Sequence, residues 1–292
     1  MSDQAFRLRT LMHEGARRSH ASAHAAPVML AVAGGKGGVG ATTLAVNLGV
    51  ALAQDGRRVL LVDADAERAD VAAQCGLSDC PTIADVLSGL RSLHEAIQRG
   101  PSGLQVLPGR WRAQASVEWT SRNQESLLDG LRGLGQHTDV VLLDVGASIN
   151  PVSRTFWRAV DEVLLVTSAD SVAVMDAYAT VKAHATEKRV LRVATIINQA
   201  ADLHAAQDAH TRLQRACRRF LGVETRVLGS IPFDAAIRDT AAAQPFVVQA
   251  PRSAAADELS RIAGRALTSA ARSFAPAEGT RELQTAAAMS AR

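Results

Sequence analysis

Residues 28–43 read Val-Met-Leu-Ala-Val-Ala-Gly-Gly-Lys-Gly-Gly-Val-Gly-Ala-Thr-Thr, and the fold follows from this stretch. Val28 to Ala33 is an apolar run of strand length. A glycine-rich segment follows, and then Leu44, Ala45, Leu48, Ala51 and Leu52 recur at helical spacing. Strand, glycine loop and helix in that order are what a phosphate-binding loop requires. Without Cβ atoms the loop can turn sharply and aim several backbone N–H groups at one anion. The helix adds its free amides and the positive end of its dipole.

Gly35 to Gly40 fits the P-loop spacing, and Thr42 falls at the magnesium-binding hydroxyl position. The usual lysine is replaced by Ala41, and a different lysine, Lys36, stands at the start of the loop. This resembles the deviant loop of the MinD/ParA family, K-G-G-V-G-K-T/S. The resemblance implies that residues Gly35, Lys36, Gly37, Gly38, Val39, Gly40, Ala41, Thr42 and Thr43 surround the phosphates of ATP. It also implies that Lys36 reaches across a nucleotide-sandwiched homodimer to the partner's phosphates. Only Lys182 and Lys188 accompany Lys36 as lysines in a chain rich in arginine.

The composition sets outer bounds. In 292 residues, 47% are hydrophobic, enough for a large core in one domain or two. The cysteines Cys75, Cys80 and Cys217 form neither a disulfide framework nor a metal-ligand spacing, so a reducing cytoplasm is expected. No apolar run approaches the ~18 residues of a membrane-spanning helix. A net charge of +3 permits acidic contacts without demanding nucleic acid, and no specific nucleic acid is expected.

Residues 1–12 read Met-Ser-Asp-Gln-Ala-Phe-Arg-Leu-Arg-Thr-Leu-Met, with Ala5, Leu8 and Met12 on one helical face. Such a helix is too short to persist alone and gains order on a partner. Asp3, Gln4, Ala5, Leu8 and Arg9 match the D-Q-A-x-x-L-R signature that begins FlhG proteins, the MinD-like regulators of flagellar number and placement. The resemblance implies that this segment stimulates an FlhF-like GTPase. Residues 13–27 are expected to be a flexible linker, and 28–252 the P-loop ATPase domain.

Arg58 to Asp63 and Asp139 to Asp144 read as buried strands ending in aspartates. In a parallel sheet those ends lie where ligands bind. A magnesium nucleotide needs carboxylates there to hold metal-bound water and orient the attacking water. The resemblance assigns Thr42, Asp63 and Asp144 to Mg2+ and Asp65 to water positioning. The alternative for Asp63 and Asp65 is capping of the next helix. After Asp144 the chain reads Val145-Gly146-Ala147-Ser148 where the family has T-G-A-G. Residues 66–76 are expected to form the first switch. Trp111 and Trp119 are expected to pack locally rather than to form a contact patch.

Strands are also expected at 103–109, 161–167, 190–197 and 226–231, making seven, with helices between them. That argues for one α/β domain, a mostly parallel sheet of seven or eight strands with helices on both faces. Asp161 to Thr167 and Asp176-Ala177-Tyr178-Ala179 resemble the FlhG pattern D-E-V-x-x-V-T…D-A-Y-A. By resemblance Asn198 recognises the adenine, and Pro232 lies in the I-P-x-D turn beside it. Arg212, Arg215, Arg218 and Arg219 on the preceding helix are expected to form a solvated face. A C-terminal helix, 253–274, would offer a contact to the inner membrane surface by analogy with the family, although it lacks a bulky apolar face. The tail 275–292 is expected to be disordered.

The expected function is a nucleotide-dependent dimerisation switch of flagellar placement, a slow ATP hydrolase whose partners include basal-body components. The loop G-G-V-G-A-T-T also resembles CpaE-type proteins, so a weakly or non-hydrolysing localisation scaffold is the alternative. A ParA-type partition ATPase ranks third.

Overall fold

The computed structural model describes residues 26–110, 119–185, 191–238 and 244–272. The segment 1–12, most of the linker 13–27, Trp111 and the tail 275–292 lie outside the described residues.

The first unit is the one the sequence predicts: β1 (Val28–Gly34), a loop, and α1 (Ala41–Gln54). Then follow β2 (Val59–Asp63), α2 (Val71–Gln74), α3 (Ile83–Leu87), α4 (Leu93–Ala96), β3 (Gln98–Arg99) and β4 (Gln105–Leu107). The middle of the chain supplies α5 (Ser121–Arg132), β5 (Val140–Asp144), α6 (Pro151–Ala159), β6 (Glu162–Thr167) and α7 (Ser171–His184). The rest is β7 (Val193–Ala200), α8 (Leu203–Leu221), β8 (Thr225–Pro232), α9 (Ala235–Arg238), α10 (Phe246–Gln249) and α11 (Ala254–Arg272).

The eight strands form one sheet in the order β3-β4-β2-β5-β1-β6-β7-β8. All pairings are parallel except that of β3 with β4. The seven expected strands are present, and the eighth, two-residue β3 is too short to leave a periodic signal. From β1 the chain crosses β5 to reach β2, and from β5 it crosses β1 to reach β6. The connections therefore diverge around β1, and a crevice opens at its carboxyl end.

The central strands are buried throughout, and apolar but for their ends at Asp63, Asp144, Glu162 and Thr167, because both faces are covered. On one face Leu30, Val32, Leu61, Leu142 and Leu164 pack with α1 and α11; on the other Leu60, Leu143, Leu165 and Ile197 pack with α5 to α8. Trp119 packs on the latter core and meets Phe156 edge-on, ring centroids 5.8 Å apart, as expected of a packing residue.

The C-terminal helix packs on the domain. Ala255, Leu259, Ile262, Ala263, Ala266 and Ala270 are all buried against β8 and α1, so its apolar face is already spent inside the domain. Gly229 permits this approach, since a Cβ there would lie 2.8 Å from Ile262 Cγ1. Among the described residues, no helix is long and apolar enough to cross a membrane.

Candidate functional site: a phosphate loop facing two buried aspartates

Residues 34–40 leave β1 at the centre of the sheet and turn directly into α1. Gly40 caps the helix with φ +88°, a left-handed conformation costly for any other residue. A Cβ there would also lie 2.6 Å from Asn198 Nδ2. Gly35 is needed for a different reason: its Cβ would lie 2.8 Å from both Cα and Cβ of Ala177 on α7. Ala177 belongs to the D-A-Y-A motif, which was legible as a family marker but not as a packing surface for the loop. The signal was a small residue at a helix position that must accept a backbone.

Asn198 ends the core run of β7 and donates from Nδ2 to Val39 O at 2.8 Å. Its amide is thus committed to bracing the loop, with Oδ1 on the other side of the same group. Pro232 ends the neighbouring strand and pairs with Ala200. Thr42 and Thr43 stand in the first turn of α1, with Ala41 buried before them.

Lys36 is partly exposed, its Nζ 3.6 Å from Asp170 Oδ1. Asp170 caps α7 by accepting from Ala173 N at 2.9 Å. Its carboxyl is held below the usual carboxylate range by the Ser168 hydroxyl and that amide, with Lys36 adding to them.

Asp63 and Asp144 are register partners at the ends of β2 and β5. Both are buried, at 1% and 0% exposure. Asp63 Oδ2 accepts from Val71 N at 3.2 Å and Asp144 Oδ1 from Gly146 N at 3.3 Å. Asp63 Oδ1 and Asp144 Oδ2 have no hydrogen-bond partner. Burial pushes Asp144 up to about 7, opposed mainly by the Thr42 hydroxyl. Burial, then the Asp144 charge, raises Asp63 well above the usual carboxylate range. Two orphaned oxygens beside a threonine hydroxyl suit a hard divalent cation, which favours oxygen donors. Among the described residues, no group of three or more His, Cys, Asp or Glu could hold a metal ion by itself.

Asp65 is also buried, and burial raises its proton affinity. Its Oδ1 accepts from Glu67 N at 2.8 Å and Arg68 N at 3.2 Å, so it anchors the start of the expected first switch. A Cβ at Gly146 would collide with its carboxylate, which accounts for the glycine retained after Asp144. The structure therefore gathers Lys36, Thr42, Asp63, Asp65, Asp144 and Asn198 around one sheet edge. Asp3, Gln4, Ala5, Leu8 and Arg9 lie outside the described residues.

A family model described as an AAA domain matches residues 28–192. The chain is 34% identical over 228 residues to the antiactivator FleN of Pseudomonas aeruginosa, covering 78% of this chain and 81% of that protein. It is 29% identical over 184 residues to the flagellum site-determining protein YlxH of Helicobacter pylori, covering 61% and 60% respectively. Its fold matches that of the septum site-determining protein MinD of Pyrococcus horikoshii complexed with Mg-ADP. The TM-score is 0.66 at 26% identity, over 86% of this chain and 99% of that one. A divergent loop at the central strand, paired aspartates on β2 and β5, and these relatives agree: the chain is an FlhG-like member of the MinD/ParA family of P-loop NTPases.

Proposed function

We propose that this protein is a Mg-ATP-dependent dimerisation switch that regulates flagellar number or placement. The similarity to YlxH, a flagellum site-determining protein, supports the flagellar part of the reading, and that to FleN, an antiactivator, supports a regulatory role. The position of Lys36 carries the switch: it sits at the outer start of the loop, partly exposed and held by a surface carboxylate. An ammonium so placed is available to a second copy. In this reading the backbone amides of residues 35–43 bind the phosphates. Thr42, Asp63 and Asp144 would hold Mg2+, which supplies charge neutralisation at the phosphates. Asp65 positions the attacking water, and Asn198 and Pro232 flank the base. Turnover is slow because Ala41 removes one phosphate-directed cation.

The N-terminal residues Asp3, Gln4, Ala5, Leu8 and Arg9 engage an FlhF-like GTPase, with basal-body components as further partners. Deleting residues 1–12 is expected to leave nucleotide binding intact and to abolish stimulation of that GTPase; unchanged stimulation would remove the activator role.

The deciding experiment for the switch is molar mass by light scattering without nucleotide, with Mg-ADP and with Mg-ATP, on the parent and Lys36→Ala. A dimer only with Mg-ATP, lost in Lys36→Ala, is expected. A nucleotide-insensitive monomer in the parent overturns the switch. Ala41 favours a second reading in that event, a localisation scaffold that scarcely turns over ATP.

A further inference from the structure

Three polar side chains lie inside the core between α6 and α7: Ser153, Thr180 and His184, at 3%, 3% and 4% exposure. Apolar neighbours surround them, including Val152, Phe156, Trp157, Val174, Ala177 and Val181. Trp157 stacks on the His184 ring at 4.1 Å with an interplanar angle of 18°. Polar groups in such a place are costly unless every one is paired.

Here every one is paired, and the pairing has a direction. The Thr180 hydroxyl donates to Gly35 O at 3.1 Å. His184 Nδ1 lies 2.8 Å from Thr180 O, a carbonyl that can only accept, so Nδ1 carries the proton and Nε2 is an acceptor. Ser153 Oγ lies 3.0 Å from both that Nε2 and Asn150 O, which share its one proton, and it accepts from Asn150 N at 3.2 Å. Asn150 also caps α6 through its side chain. The Thr180 hydroxyl meets Gly35 O while the His184 ring meets the Thr180 carbonyl, so the link passes through the backbone of Thr180; it begins at a backbone carbonyl of the phosphate loop. It ends at a backbone N–H of the segment that follows Asp144.

These two loops also touch directly, Gly34 N donating to Gly146 O at 2.9 Å. Neither could shift without disturbing the polar chain at one end. Ala177, one turn before Thr180, presses on Gly35 from the same helix face.

We infer that Thr180, His184 and Ser153 are positioning residues, a buried strut through which α7 holds the Gly35–Lys36 segment in register with residues 145–150. This deepens the switch reading, since it couples the loop bearing Lys36 to the segment that follows Asp144. The strut is built from this chain's own residues and can be tested without added nucleotide.

The test is hydrogen–deuterium exchange on the nucleotide-free full chain, comparing the parent with Ser153→Ala, Thr180→Val and Thr180→Ser. Ser153→Ala is expected to speed amide exchange in the 34–40 peptide by about tenfold, although Ser153 is on a different helix and does not bond the loop. Peptides from α11 serve as the control and stay at the parental rate. Thr180→Val is expected to act likewise, and Thr180→Ser, which keeps the hydroxyl, to restore the parental rate. Faster exchange confined to α6 in Ser153→Ala, or equal effects of Thr180→Val and Thr180→Ser, would overturn the strut. If Thr180→Val does not fold, Ser153→Ala decides alone. Binding of a fluorescent ATP analogue by the same proteins separates the two readings. A parent that binds no nucleotide sinks the proposed switch and leaves the exchange result to judge the strut.

Discussion

Ala41 is a single-residue departure whose consequence can be sized. A charge-assisted hydrogen bond from a lysine there would contribute roughly 1.5–3 kcal/mol, or about 10- to 150-fold in affinity. Ala41→Lys is therefore expected to tighten Mg-ATP by that factor in calorimetric titration. No change would mean that Lys36 or the loop amides already supply the charge. The buried aspartates make a second prediction. Asp144 is raised from 3.8 to about 7 in the folded state, so the native protein binds more protons than the unfolded chain. Its contribution is present below about pH 4 and is lost as pH rises toward 7, by up to about 1.4 kcal/mol per pH unit. His184 acts with the opposite consequence: burial lowers its pKa, so its contribution is present above the ordinary value of 6.5 and is lost as pH falls below it. In urea unfolding without divalent ions, Asp144→Asn is expected to gain stability at pH 8 relative to pH 5, compared with the parent. An unaltered pH profile would show that Asp144 is not buried as a charge.

Among the elements, α11 and α7 each bury one face against the sheet but serve different ends. The small apolar stripe of α11 packs beneath β8, where Gly229 admits Ile262. Leu259→Ala on this helix is expected to cost about 2–5 kcal/mol in chemical unfolding, the range for a buried leucine. A cost near zero would mean that the helix detaches readily and regains a free apolar face. On α7 the same helix that packs Ala177 on Gly35 also presents Asp170 to Lys36. The basic α8 is tied down rather than free: Arg212 pairs with Asp208 at 2.9 Å and Arg218 with Glu224 at 3.2 Å. That agrees with a solvated face.

For the whole molecule, the proposed switch requires Lys36 to leave Asp170 for a second copy. An exposed ion pair contributes at most about 1 kcal/mol, so it is a weak latch. Asp170→Ala is expected to lower the Mg-ATP concentration needed for half dimerisation by no more than about fivefold. A much larger shift, read by light scattering, would show that Asp170 restrains more than the lysine. The divergence of the chain around β1 places both the latch and the aspartates at one sheet edge.

The strand–loop–helix unit, the apolar strands ending in Asp63 and Asp144, and the one-domain α/β layout were legible from the residues alone. These are local: glycine spacing, helical periodicity and strand-length apolar runs carry them without reference to distant residues. What those elements touch was not legible there and came from the packing of the folded chain. Gly35 against Ala177, Asn198 on Val39, Lys36 beside Asp170 and the Thr180–His184–Ser153 chain each join residues far apart in sequence. No periodicity encodes such pairs, because they depend on which strands become neighbours and how closely the covering helices approach. The packing of α11 is of the same kind: its small apolar stripe does not name its partner, and the closeness of Gly229 to Ile262 places it on the sheet.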